Sequence, residues 1–195
     1  MPQQESIDPT ATNLKWWNER GVLHAGSLFY DLEGVVNGDM RLNPYEIEEV
    51  GNVEGKRLLH LQSHLGIETV GWARLGAITS GLDFSNDTIN EARDLAERCG
   101  VKIDYHVGDV YDAPGVVGEN EFDIVYVSGG SLHWLPDSSA DRYRLAVPAG
   151  TSAFSGGRGA PRASFCAGRP GPRSAHRWIA DDSGGRERAC KNYSL

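Results

Sequence analysis

Between Lys56 and Val127, short apolar runs of strand length alternate with stretches of helical period, and this alternation restricts the fold more than any other feature. Residues 57–61 form one such run; after a break at 62–66, Ile67, Val70 and Arg74/Leu75 recur at helical spacing. A second strand begins in AITSG and stops at Asp83, and Ser85 stands where a helix N-cap belongs. Ile89, Ala92, Leu95, Ala96 and Cys99 then mark one helical stripe, with Gly100 at the C′ position that favours a left-handed residue. Ile103, Tyr105 and Val107 alternate as a third strand leading into GDVYD, and FDIVYV at 122–127 is a fourth, apolar enough to be central. Strands and helices alternating at these lengths imply parallel βαβ units. The expected fold class is therefore α/β, a doubly wound, Rossmann-like parallel sheet.

The flanks differ from this body, which spans 56–142. Residues 1–55 read as an N-terminal cap or lid, with a short helix in NLKWWNER (13–20) carrying Leu14 and Trp17 on one side, then a punctuated stretch of loops and short helices. After residue 142 no helical or strand period survives: 36 of the last 54 residues are Arg, Gly, Pro, Ser or Ala, so 143–195 is expected to be a low-complexity, largely disordered tail. Charge changes sign at the same point, from 9 Lys+Arg against 24 Asp+Glu in 1–141 to 10 against 3 in 142–195. An acidic body disfavours nucleic acid as a general partner, because phosphates would be repelled, and suits a small-molecule site. The first twenty residues lack the basic start and the apolar core of roughly 7–15 residues of a signal peptide, and no run approaches a membrane span, which reads as soluble and cytoplasmic. Cys99, Cys166 and Cys190 are too scattered for a disulfide framework or a zinc site, so no metal is expected.

In an open α/β sheet, ligands bind beyond the carboxyl ends of the strands. Here those ends are His60 to Gly66, Asp83, Gly108 with Asp109, and Ser128 to His133. Asp83 can accept two hydrogen bonds from vicinal ribose hydroxyls, or it can simply favour the dipole of the following helix. It lies 17 residues after Gly66, close to the roughly 20-residue spacing of a nucleotide-binding βαβ unit. Gly66 permits close backbone approach to a ligand or is a turn glycine. Asp109 can accept from an adenine amine or form an Asx-turn. Gly129 and Gly130 suit a substrate-side loop, and His133 is either a base there or a packed or surface histidine.

The ordered series LLHLQSHLGIETVGWARLGA, GLDFSNDTINEARDLAERCG, GDVYD and FDIVYVSGGSLHWLPD resembles the class I S-adenosylmethionine-dependent methyltransferases, in particular the small-molecule branch whose first motif reads HLQ-x-H-x-G. The resemblance runs from about Trp16 to Asp137. The more common pattern at the first turn is an acidic residue followed by alternate glycines; here His60 replaces the acid, Gln62 and His64 replace two glycines, and Gly66 remains. The resemblance implies S-adenosylmethionine as cofactor, with His60, Gln62, His64 and Gly66 around its methionine part, Asp83 on its ribose, and Asp109 with Val110 at its adenine. It places Ser128 to Leu132 on the route to the methyl group, Tyr30 in the cap over the cofactor, and His133 as the candidate catalytic base. The implied reaction is methyl transfer to a small-molecule acceptor, which asks the protein mainly for alignment, exclusion of water and removal of a proton.

Composition and periodicity fail together where the resemblance leads one to expect a fifth strand and a hairpin. This break suggests a tail translated in a wrong reading frame, which sequencing the locus decides; the fourth strand would then have an unpaired edge and the sheet would lose stability. Two other classes stay open on the residues. One is a nucleotide-fold module whose Arg/Gly-rich tail binds RNA through charge and the rings of Phe154, Phe165 and Trp178. The other is an NAD-linked oxidoreductase, which fits less well because the first turn lacks the three-glycine fingerprint.

Overall fold

A computed structural model of the chain describes residues 9–119, 121–129, 131, 135, 152–155 and 163–166. Four strands form the centre of the sheet: β1 (Arg57–Leu61), β2 (Ile78–Asp83), β3 (Ile103–Val107) and β4 (Ile124–Val127). All four are parallel, with Leu59 of β1 opposite Ser80 of β2 on one side and Val125 of β4 on the other. The sheet order β3-β2-β1-β4 means that successive strands are added first to one side of β1 and then to the other. Such a reversal opens a crevice beyond the carboxyl ends of β1 and β4.

Side-chain alternation on β1 and β4 builds two apolar layers. Leu59, Leu61, Val125 and Val127 pack with Val110 and Ala113 beneath a 3-10 turn (Val110–Asp112) and α6 (Ala113–Val117). Leu58, Ile124 and Tyr126 point to the opposite face, against Trp72 of α4 (Ile67–Arg74) and Val50 of α3 (Pro44–Val50). Both faces are covered, which is why these strands read as nearly continuous apolar runs. The helix α5 (Asn86–Arg98) follows the sequence closely: Ser85 Oγ accepts from the Thr88 N–H at 3.2 Å, Ile89, Ala92 and Leu95 are fully buried, and Gly100 is left-handed with φ of +66°.

The N-terminal segment contains α1 (Pro9–Ala25), α2 (Leu32–Val36) and α3. The first helix is longer at both ends than the expected 13–20, and it runs through Gly21. Close packing decides this, since a Cβ at Gly21 would lie 2.3 Å from Thr88 Oγ1 on α5. A hydrogen bond of 2.7 Å from Ser85 Oγ to Asn18 Oδ1 ties the same helix to the start of α5.

Part of the segment expected to be largely disordered is described, and it forms strands. Two short strands, β5 (Ser152–Ser155) and β6 (Ala163–Cys166), extend the sheet to β3-β2-β1-β4-β5-β6; β5 is parallel to β4 and β6 antiparallel to β5. The expected unpaired edge of β4 is corrected by this pairing. Strand pairing is made by main-chain N–H and C=O groups that need partners, so side-chain period is not required of the segment that supplies them. SAFS and ASFC are runs free of Gly and Pro within a region dense in both. No helix among the described residues is long and apolar enough to cross a membrane.

Candidate functional site

The break at 62–66 is a turn built from left-handed residues. Gln62 has φ of 54°, His64 48° and Gly66 72°. For the two non-glycine residues this conformation costs about 1–2 kcal/mol each, so something must hold them. His64 donates its main-chain N–H to Asp83 Oδ2 at 2.9 Å, Ser63 N donates to the Leu82 carbonyl at 3.0 Å, and Gly66 N donates to the Ser63 carbonyl at 2.8 Å. From outside, the His64 ring is fixed by the N-terminal segment: its Nε2 lies 3.2 Å from His24 Nδ1, and the rings of Trp17 and Tyr30 lie 5.4 and 5.3 Å away. Burial, with His24 adding, lowers the pKa of His64 to about 4, and burial lowers that of His24 as well. At neutral pH two neutral imidazoles share that hydrogen bond.

Beyond this turn lies a cavity of ≈ 280 Å³ at the carboxyl ends of the parallel strands, near the lower end of the roughly 300–1,000 Å³ of small-molecule sites. Of the candidates read from sequence, Gln62, His64, Asp83, Asp109, Val110, Ser128 and Tyr30 line it. Asp83, the last residue of β2, is buried, and its two oxygens accept from the N–H groups of His64 and Ser85 at 2.9 and 3.0 Å. Desolvation raises its pKa, opposed by these donors. Asp109 caps the 3-10 turn by accepting from Tyr111 N at 2.9 Å. Ser128 Oγ lies 3.1 Å from Ser131 Oγ, whose carbonyl accepts from Gln62 Nε2 at 3.2 Å, so the turn after β1 and the loop after β4 are joined.

Two expected residues are not in the wall. His60 is fully buried beneath the sheet, with Nδ1 2.8 Å from Thr69 Oγ1 and its ring 4.8 Å from that of Tyr126. Strand alternation turns it toward α4, and burial lowers its pKa to about 3, so it is a neutral core residue. Gly66 faces Tyr105, whose hydroxyl would lie 1.9 Å from a Cβ, and it shapes the turn from behind. His133 and Gly130 lie outside the described residues. Sequence reading missed Asn13 and Glu68 in the wall, while Ser131 falls within the expected 128–132 loop. An acidic residue in the first turn of a helix reads as a dipole partner, so Glu68 gave no separate signal.

A family model described as a methyltransferase domain matches residues 59–147, the segment that runs from within β1 through β4 and carries most of the cavity lining. This segment is similar to a methyltransferase domain. The ubiquinone biosynthesis O-methyltransferase of Klebsiella pneumoniae subsp. pneumoniae is 30% identical over 136 residues, 66% of this chain and 55% of that one. The chain thus spans about half the length of the curated relatives it matches. A structure solved for the conversion of a disulfide bond into a thioacetal group during echinomycin biosynthesis is 28% identical, covers 57% of this chain and 48% of that one, and has a TM-score of 0.50. The magnesium protoporphyrin IX methyltransferase of Synechocystis PCC 6803, solved with bound S-adenosylmethionine, shares the fold at 17% identity and a TM-score of 0.53, covering 78% of this chain and 77% of that one.

The cavity fits S-adenosylmethionine in its hydrogen-bonding character. Gln62 Oε1 is buried with no hydrogen-bond partner among the described residues, and the carboxylates of Glu68, Asp83 and Asp109 all border the same space. Such a wall offers acceptors, and S-adenosylmethionine brings donors: an ammonium, two ribose hydroxyls and an adenine amine.

Proposed function

We propose that this chain binds S-adenosylmethionine in the cavity at the ends of β1, β2, β3 and β4 and directs methyl transfer to a small-molecule acceptor. The observation that carries the reading is the convergence of Gln62, Asp83, Asp109 and Ser128, from four separate strand ends, on one acceptor-rich cavity at the point where the sheet order reverses. Gln62 and His64 would hold the methionine part, Asp83 the ribose, and Asp109 with Val110 the adenine. Tyr30 and Trp17 would close the cavity from the cap and exclude water. When bound, the cofactor supplies a methyl group already activated by a sulfonium, so the residues need mainly to orient an acceptor and accept its proton. His133 is the proposed base. The similarity to ubiquinone-biosynthesis O-methyltransferases makes an oxygen nucleophile the first acceptor class to assay.

Calorimetric titration of the full chain with S-adenosylmethionine, S-adenosylhomocysteine and NAD tests the reading. Binding of the first two, lost in Asp83→Ala, supports it. Binding of NAD alone would replace it with the oxidoreductase reading, and a salt-sensitive RNA complex lost on deleting 143–195 would replace it with the RNA-binding one.

A further inference from the structure

The three carboxylates in the cavity wall are not equivalent. Asp83 already takes N–H groups from His64 and Ser85, and Asp109 takes one from Tyr111. For Glu68, on the first turn of α4, no hydrogen bond from another residue's side chain or main chain reaches the carboxylate among the described residues. No Lys or Arg is among the described residues lining the cavity, so its charge is unanswered there. Burial raises its pKa, and Glu46 adds to the rise.

A second observation lies on the same wall. The Gln62 amide is oriented by its Nε2 bond to the Ser131 carbonyl, which leaves Oε1 buried and without a donor among the described residues. A neutral amide oxygen and a carboxylate, both lacking donors, call for a cationic group with several N–H donors; an ammonium has three. Trp17, Tyr30 and His64 also line the cavity, with the Trp17 and Tyr30 rings 5.4 and 5.3 Å from that of His64. The end of β1 cannot supply the negative charge, because His60 stands there, neutral and turned toward Thr69.

We propose that Glu68, together with Gln62 Oε1, binds the α-ammonium of the cofactor's methionine part, so that α4 furnishes the counter-ion that β1 lacks. This assignment rests on the S-adenosylmethionine reading above. It makes Glu68 a binding residue that fixes the methionine end while Asp83 and Asp109 are left to the nucleoside.

Three ligands separate the possibilities in calorimetry on the full chain. S-adenosylmethionine carries ammonium and sulfonium, S-adenosylhomocysteine keeps only the ammonium, and 5′-methylthioadenosine has neither. Glu68→Gln is expected to weaken the first two alike, by about tenfold or more as for a lost charge-assisted hydrogen bond, and to leave 5′-methylthioadenosine unchanged. Glu68→Asp should restore part of the loss, and its behaviour decides the matter if the glutamine variant does not fold. Weakening of S-adenosylmethionine alone would assign Glu68 to the sulfonium and overturn the proposal. Equal weakening of all three ligands, or of none, would overturn it too. If the unaltered chain binds none of them, the cofactor reading itself falls.

Discussion

The two ends of the cavity are held open by different means. At the turn after β1 the backbone is strained at Gln62 and His64, and its support comes from distant segments: Asp83 on β2, His24 and Trp17 on α1, Ser131 after β4. After β3, Asp109 has extended dihedrals and caps its own 3-10 turn with a bond two residues away. A locally satisfied loop keeps its shape whatever surrounds it, whereas the strained turn exists only within the assembled fold. Strain at a ligand site persists where the surroundings over-determine it.

Substitutions that remove distant support should therefore damage the first turn more than the third. The largest effect is expected from Gly66→Ala, which combines a left-handed residue with a Cβ 1.9 Å from the Tyr105 hydroxyl; thermal or urea unfolding should show a loss of about 3–4 kcal/mol. Adding Tyr105→Phe should recover part of it, and no recovery would mean that backbone strain and the remaining contact with the ring, 2.8 Å from the Cβ, account for the loss. Asp83→Ala leaves the N–H groups of His64 and Ser85 without acceptors and should cost about 2–3 kcal/mol. Asp109→Ala, losing one local cap, should cost about 1 kcal/mol. If the two cost the same, the contrast between distant and local support is wrong.

His60 adds a pH dependence from beneath the turn. Its imidazole takes a proton at about 6.5 when unfolded and at about 3 when folded, so the unfolded chain binds more protons between these values. The stability it contributes is present above pH 6.5 and falls as the pH drops, by roughly 2 kcal/mol between pH 7 and pH 5. Urea titrations of His60→Asn should lack that part of the slope; Asp83 and Glu68, raised by burial and so acting in the opposite direction, are present in both proteins and cancel. The smallest effect belongs to His24→Ala, which removes the hydrogen bond to His64 at about 1 kcal/mol and should loosen ligand binding at the methionine end without altering adenosine binding.

The elements that were legible in the sequence are those whose side chains report their own environment. The stripe Ile89, Ala92, Leu95 buries one face of α5, and Ser85 caps it, because helical period and capping are local properties. The strand ends at Asp83 and Asp109 were legible for the same reason. His60 was misplaced because the same strand carries one residue toward the cavity and the next into the core, and only the register against β2 and β4 tells which. Glu68 was hidden because its solvent exposure is removed by segments far away in the chain. The strands β5 and β6 are four residues each, too short for an alternation to stand out, and their pairing depends on main-chain groups that every residue shares.

Residues 57–127 thus specified by themselves an α/β order, a helix cap, and the aspartates at two strand ends, since each follows from periodicity or from contacts within a few residues. Tertiary structure decided the left-handed turn at Gln62 and His64, the joining of that turn to α1 and to the loop after β4, and the place of Glu68 in a cavity wall without Lys or Arg among the described residues. These are consequences of long-range packing, in which a group's solvation and partners are set by residues tens of positions away. Local sequence does not contain that information, because burial and electrostatic environment are properties of the assembled chain.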